Sequence, residues 1–183
     1  MFGELNSVVH APSLLIARFN WAADRISVVW HECSSAPVSG NRDCNVAGQH
    51  TDVYYAALTP SGDTPKTRIN DATVRDQFFP ALDFDTSGNL IVTFYDRRDD
   101  PLNVSYRLYR AYIDPDGNPL PPTQNQAVSP FFSTPQSNWS FPNFIGDYHE
   151  SWSTVLNGVT TWFSSWTGTS NNHADIFIST IQP

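Results

Sequence analysis

The chain has 183 residues, with 10 Lys and Arg against 18 Asp and Glu, a formal charge of −8. That field repels phosphate backbones and anionic membrane surfaces, which argues against nucleic acid as a partner. No run approaches the ~20 apolar residues of a membrane span, so membrane insertion is not expected.

Aromatic residues form 14% of the chain and 14 prolines punctuate it, a composition that favours short strands over long helices. The expected fold class is therefore all-β. The first predicted strand begins near Pro12 and reaches Ala17. Residues 26–32 and 52–56 form the next pair, and Thr59-Pro60-Ser61-Gly62-Asp63 reads as a turn. Between that pair, Cys33 and Cys44 bracket a stretch of Ser, Pro, Gly and Asn. A disulfide pinning this loop is the favoured reading, and it implies an oxidising compartment and a secreted, cell-surface or periplasmic location. Two free thiols in a cytosolic protein are the alternative.

Residues 79–85 read as an inner strand, followed by a turn at Asp85-Thr86-Ser87-Gly88-Asn89 and a strand over 90–96. A third strand covers 104–113, Asp114-Pro115-Asp116-Gly117-Asn118 is a second turn, and 126–129 is a short outer strand. Residues 119–142 form a long connection whose Phe131, Phe132, Trp139 and Phe141 argue against disorder. The last unit starts with a strand over 143–148 and continues over 159–166 and 175–181. The pairs 26–32/52–56, 90–96/107–111 and 159–166/175–179 recur at roughly 55–70 residues, the range of one propeller blade with its loops. Such a unit cannot bury its own apolar face, so the units are expected to stack. Blades at about 11–70, 76–130 and 141–183 follow, with residues 1–10 as a candidate ring-closing strand.

Three segments carry a family resemblance. They are Phe79-Pro80-Ala81-Leu82, Asp85-Thr86-Ser87-Gly88-Asn89-Leu90 and Phe94-Tyr95-Asp96-Arg97-Arg98-Asp99-Asp100-Pro101. Together with Phe144-Ile145-Gly146-Asp147-Tyr148 and the cysteine-bearing segment, the chain resembles the sialidase-like β-propeller superfamily with bacterial-neuraminidase-type repeats. The resemblance implies four-stranded antiparallel blades in a ring of six. Three blades then mean a half propeller, completed by a homodimer or by the remainder of a longer chain. Only the Asp and Gly character of the family's Asp-box survives in the turns, and its Phe-Arg-Ile-Pro motif does not occur. The expected function is an extracellular module that binds carbohydrate or protein, a glycan or glycoprotein ligand, without catalysis. The alternatives are a fragment of an exo-sialidase-like glycoside hydrolase acting on an acidic glycan, and a structural module of a larger secreted protein.

Two constellations can carry chemistry. Asp96, Arg97 and Arg98 follow a strand, and paired arginines grip a carboxylate bidentately. The alternative is that they pair with neighbouring acids. Asp147, Tyr148 and Glu150 are the candidate catalytic residues, since a retaining glycosidase uses two close carboxyls or a Tyr helped by a Glu. Alternation along a strand puts Tyr148 and Glu150 on one face and Asp147 and His149 on the other. Structural hydrogen bonding is the competing explanation. Trp139, with Trp21, Trp152 and Trp166, falls at predicted loops or strand ends, where indoles stack on sugars or pack between sheets. No cofactor is expected beyond calcium at Asp114 to Asn118, which offers alternate oxygen ligands but lacks the distal Glu, and a plain turn is the other reading. The histidines show no zinc spacing. The N-terminal residues lack signal-peptide regions, so the export signal was removed, the chain is a fragment, or the protein is cytosolic.

Overall fold

Leu90 to Asp96 is buried at every position, which requires cover on both faces of its sheet. The fold supplies it with three antiparallel sheets stacked side by side. The structure is a computed structural model; it describes residues 2–5 and 9–12 by their backbone, and 15–34, 44, 49–135, 145, 149–169 and 174–181 in full. Among the described residues all regular elements are strands.

β1 (Phe2–Leu5) and β2 (Val9–Pro12) pair with each other in a two-stranded sheet, so the N-terminal residues form their own hairpin. The first large sheet holds β3 (Ile16–Asn20), β4 (Arg25–Cys33), β5 (Thr51–Thr59) and β6 (Gly62–Asp63), with β7 (Thr67–Arg68) also on β5. The middle sheet orders β8 (Gln77–Phe84), β9 (Leu90–Asp96), β10 (Arg107–Ile113) and β11 (Gln126–Ala127). The third holds β12 (Glu150–Leu156), β13 (Val159–Gly168) and β14 (Asp175–Ile181).

Each sheet is a meander whose first strand lies at one edge. These first strands converge: β8 packs against β3, β4 and β5 on one side and β12 on the other. Arg18 on β3 reaches Glu150 on β12 at 2.7 Å, and Ser153 Oγ donates to the Phe84 carbonyl at 2.7 Å. Period-two alternation sorts the core. Leu90, Val92 and Phe94 meet Val29, Val53 and Tyr55 of the first sheet, while Tyr95 meets Trp166 and Ile91 meets Trp162 of the third. Fully burying each such aliphatic side chain contributes about 1.5–3 kcal/mol.

Two turns of matching sequence lock the first and middle sheets. In each, the first Asp accepts hydrogen bonds from backbone amides two and four residues on and from the Asn side chain. Gly88 and Gly117 sit at φ of 84° and 88°, where a side chain would be strained and would press on Asn20 and Tyr55. Asn20 Nδ2 donates to the Gly88 carbonyl at 2.8 Å, and Tyr55 and Arg25 both donate to the Pro115 carbonyl. The Asp114 carboxylate, expected as a turn acceptor or a calcium ligand, holds its own turn together.

Among the described residues the third sheet begins at Glu150. β12 pairs with β13 through Asn157 and Gly158, both at positive φ. Asn-Gly is the two-residue hairpin signal, and it makes residues 150–156 the partner of β13. Of residues 143–148 only Ile145 is described, and it is buried against the middle sheet. Trp152 consequently lies inside β12, not at a strand end, and Trp166 is fully buried within β13.

Cys33 and Cys44 form a disulfide with Cα atoms 5.4 Å apart, as expected. Closing a loop of this length stabilises by about 2–3 kcal/mol through the unfolded chain. Reduction with dithiothreitol is therefore expected to lower the thermal midpoint by several degrees, and a scan unchanged by reduction refutes that stabilising role.

Candidate functional site

The segment from Asp96 to Asp100 leaves the middle sheet at the end where β5 and β8 begin. Its two arginines point into different surroundings. Arg97 is completely buried: Nη1 meets Asp76 Oδ2 at 3.2 Å and the guanidinium lies over the Phe78 ring at 5.1 Å. Asp76, equally buried, also accepts from the Thr51 amide at 3.0 Å and from Asn103 Nδ2 at 2.7 Å. One carboxylate thus ties together the start of β5, the approach to β8 and the loop after β9.

Arg98 turns the other way. Its guanidinium bonds Asp96 at 2.6 Å, Asp71 at 2.6 Å and Asn125 at 3.1 Å, and covers the Tyr109 ring at 4.4 Å. Asp96 is itself buried, and burial raises its carboxyl above the usual range, partly offset by Arg98. Gln77 links Asp96 to Asn70, and Asn70 donates to Asp52 at 2.6 Å. The charged residues after β9 are therefore an internal lattice joining two sheets.

What faces solvent is the rim of that lattice. Tyr109 donates to Asp99 at 2.6 Å; Arg107 approaches the same carboxylate at 3.5 Å and lies over the Phe132 ring at 5.4 Å. Phe132 is 48% exposed. An exposed ring flanked by a cation and a carboxylate can stack on an apolar sugar face and exchange hydrogen bonds with hydroxyls. Sequence reading passed over Arg107 and Phe132. Their only signal is an Arg opening a strand and an aromatic in a Pro- and Ser-rich loop, and 25 residues separate them.

Glu150 is exposed and paired with Arg18. Asp147, Tyr148 and Trp139 lie outside the described residues. His149 is buried in the interface between the middle and third sheets. Its Nδ1 meets the Phe79 carbonyl at 2.6 Å and so carries the proton, leaving Nε2 to accept from Thr93 (2.9 Å) and Ser164 (3.0 Å) hydroxyls. A hydroxyl on an imidazole is the geometry of an activated nucleophile. Thr93, Ser151 and Ser164 are fully buried, however, so this cluster serves packing.

On the opposite side of β8, His31 Nδ1 accepts from the Phe79 amide at 3.3 Å. Phe79 has φ of 57° at an irregularity in the β8–β9 register, where its backbone polar groups leave the ladder. Two histidines, one on β4 and one immediately before β12, in opposite tautomers, take up those groups. Burial pushes both down to about 4.

Against this geometry stand the comparisons with known proteins. No protein-family model, curated protein or solved structure matches the chain. Among the described residues, no group of three or more His, Cys, Asp and Glu could hold a metal ion, and no helix is long and apolar enough to cross a membrane.

Proposed function

We propose that the chain is a sialidase-like propeller unit, its three sheets acting as blades, which binds carbohydrate or protein outside the cell and does not hydrolyse glycosides. The observation that carries this reading is the commitment of both candidate arginines to internal carboxylates, Arg97 to Asp76 and Arg98 to Asp96 and Asp71. Neither is left to clamp the carboxylate of an acidic glycan. The meander order of each sheet and the convergence of β3, β8 and β12 support the blade reading. The disulfide supports an oxidising compartment.

The ligand surface in this reading is the rim formed by Asp99, Arg107 and Phe132. Glycan-array binding of the intact chain is expected, with at least a fivefold loss of affinity on Phe132→Ala or Arg107→Ala and no change in the circular dichroism spectrum. Fluorogenic sialosides and uronides are expected to remain unhydrolysed. Turnover that disappears on Tyr148→Phe or Asp147→Asn overturns the non-catalytic reading in favour of the glycosidase.

A further inference from the structure

Exposed apolar side chains in this protein are concentrated at its two ends. Among the described residues, of the fourteen large hydrophobic side chains most open to solvent, eleven belong to the first and third sheets and the segments flanking their strands, and none to a strand of the middle sheet. On the outward face of the first sheet, Phe19, Ile26 and Leu58 lie directly opposite one another across three strands. On the outward face of the third, Trp152, Ile176 and Ile178 are 37%, 70% and 67% exposed. Contiguous apolar patches of this kind mark interaction surfaces.

We propose that a second copy of this chain covers both faces, the first sheet of each copy packing on the third sheet of its partner to close a two-fold ring of six sheets. The proposal rests on the blade reading above. Area favours it: three strands about 4.8 Å apart and about seven residues tall at about 3.3 Å each give a face of about 330 Å². Two such contacts, counting both partners, remove about 1,300 Å², which falls within the roughly 1,200–2,000 Å² of a stable interface.

All ten Lys and Arg precede residue 111. The only charged residues on the strands of the third sheet are Glu150 and Asp175, both acidic. The outward face of the first sheet is bordered by Lys66, which lies over Tyr54 and is paired with Glu32, and by the exposed Arg68, which stands opposite Tyr54 in register. The third sheet thus brings no strand cation to a third-on-third contact, whereas the first sheet offers Arg68; Glu150 is already paired with Arg18 of its own chain and does not decide the pairing. Three sheets per copy make such a head-to-tail contact close after two copies; contacts of this type that fail to close grow into open chains.

Light scattering coupled to size exclusion is expected to give twice the 20.5 kDa chain mass, independent of concentration. Leu58→Glu and Ile178→Glu are each expected to be monomeric, with Phe19→Glu as the substitute should the first misfold. Mixed in equal amounts, a first-sheet variant and a third-sheet variant are expected to recover a dimer, because one unaltered pair of faces remains. A wild-type monomer overturns the proposal, as does dimerisation of both single variants alone. Recovery on mixing accompanied by mass that grows with concentration keeps the face pairing but overturns the half-ring reading of three blades.

Discussion

Acidification from pH 7 to pH 4 is expected to remove about 6 kcal/mol of folding stability through His31 and His149 alone. Both are pushed down to about 4 by burial, from an ordinary value of 6.5. A histidine whose folded value is depressed contributes its full stability above 6.5, where neither folded nor unfolded chain binds the proton. Below 6.5 the unfolded chain takes up protons that the folded chain refuses, and stability falls until about pH 4. The structural reason is the bulge at Phe79. Protonating His31 at Nδ1 destroys the acceptor for the Phe79 amide, and protonating His149 at Nε2 destroys the acceptor for the Thr93 and Ser164 hydroxyls. Asp96 acts in the opposite sense, because burial raises its carboxyl, but it is one group against two. With two protons taken up on unfolding, urea titrations near pH 5 are expected to show a slope of about 2.7 kcal/mol per pH unit. His149→Gln is expected to halve that slope, and a profile flat between pH 6.5 and 4.5 would exclude the double clamp. Total stability of a domain this size is roughly 5–15 kcal/mol, so cooperative acid unfolding near pH 4 is expected.

Asp76→Ala is expected to destabilise the fold by about 3–5 kcal/mol, the range for removing one partner of a buried ion pair. The substitution deprives the buried Arg97 of its carboxylate and takes acceptors from Asn103 and the Thr51 amide in one step. Asp76→Asn keeps one acceptor oxygen and is expected to cost less. The double variant Asp76→Ala with Arg97→Met is expected to recover part of the loss, because neither charge of this pair is then buried. Chemical denaturation of the three variants decides the matter: a cost below about 1 kcal/mol for Asp76→Ala would place this pair with exposed surface bridges.

The sequence by itself determined the all-β class, most strand positions and the cysteine pairing. The middle sheet is the clearest case. Leu90–Asp96 coincides with its expected span because an apolar run bounded by Gly88-Asn89 and by charges has only one local solution. The turns at Asp85 and Asp114 were equally legible, since Asx hydrogen bonding and a positive-φ glycine are properties of five consecutive residues. The β12–β13 hairpin is equally local, since Asn157-Gly158 is a two-residue turn signal.

Only the tertiary structure decided what the charged residues do. Arg97 and Arg98 are adjacent in the chain, yet the turn after β9 sends one into the core towards Asp76 and the other outward to Asp71 and Asn125. Apart from Asp96 beside Arg98, their partners lie 21 and 27 residues away, a separation at which no local pattern reports contact. The histidine clamp shows the same limit, because His31 on β4, Phe79 on β8 and His149 just before β12 meet only once the three sheets are packed. Local hydrogen bonding and periodicity act within a few residues and so can be read along the chain. Burial and ion pairing depend on which faces meet, and only the packed sheets define that.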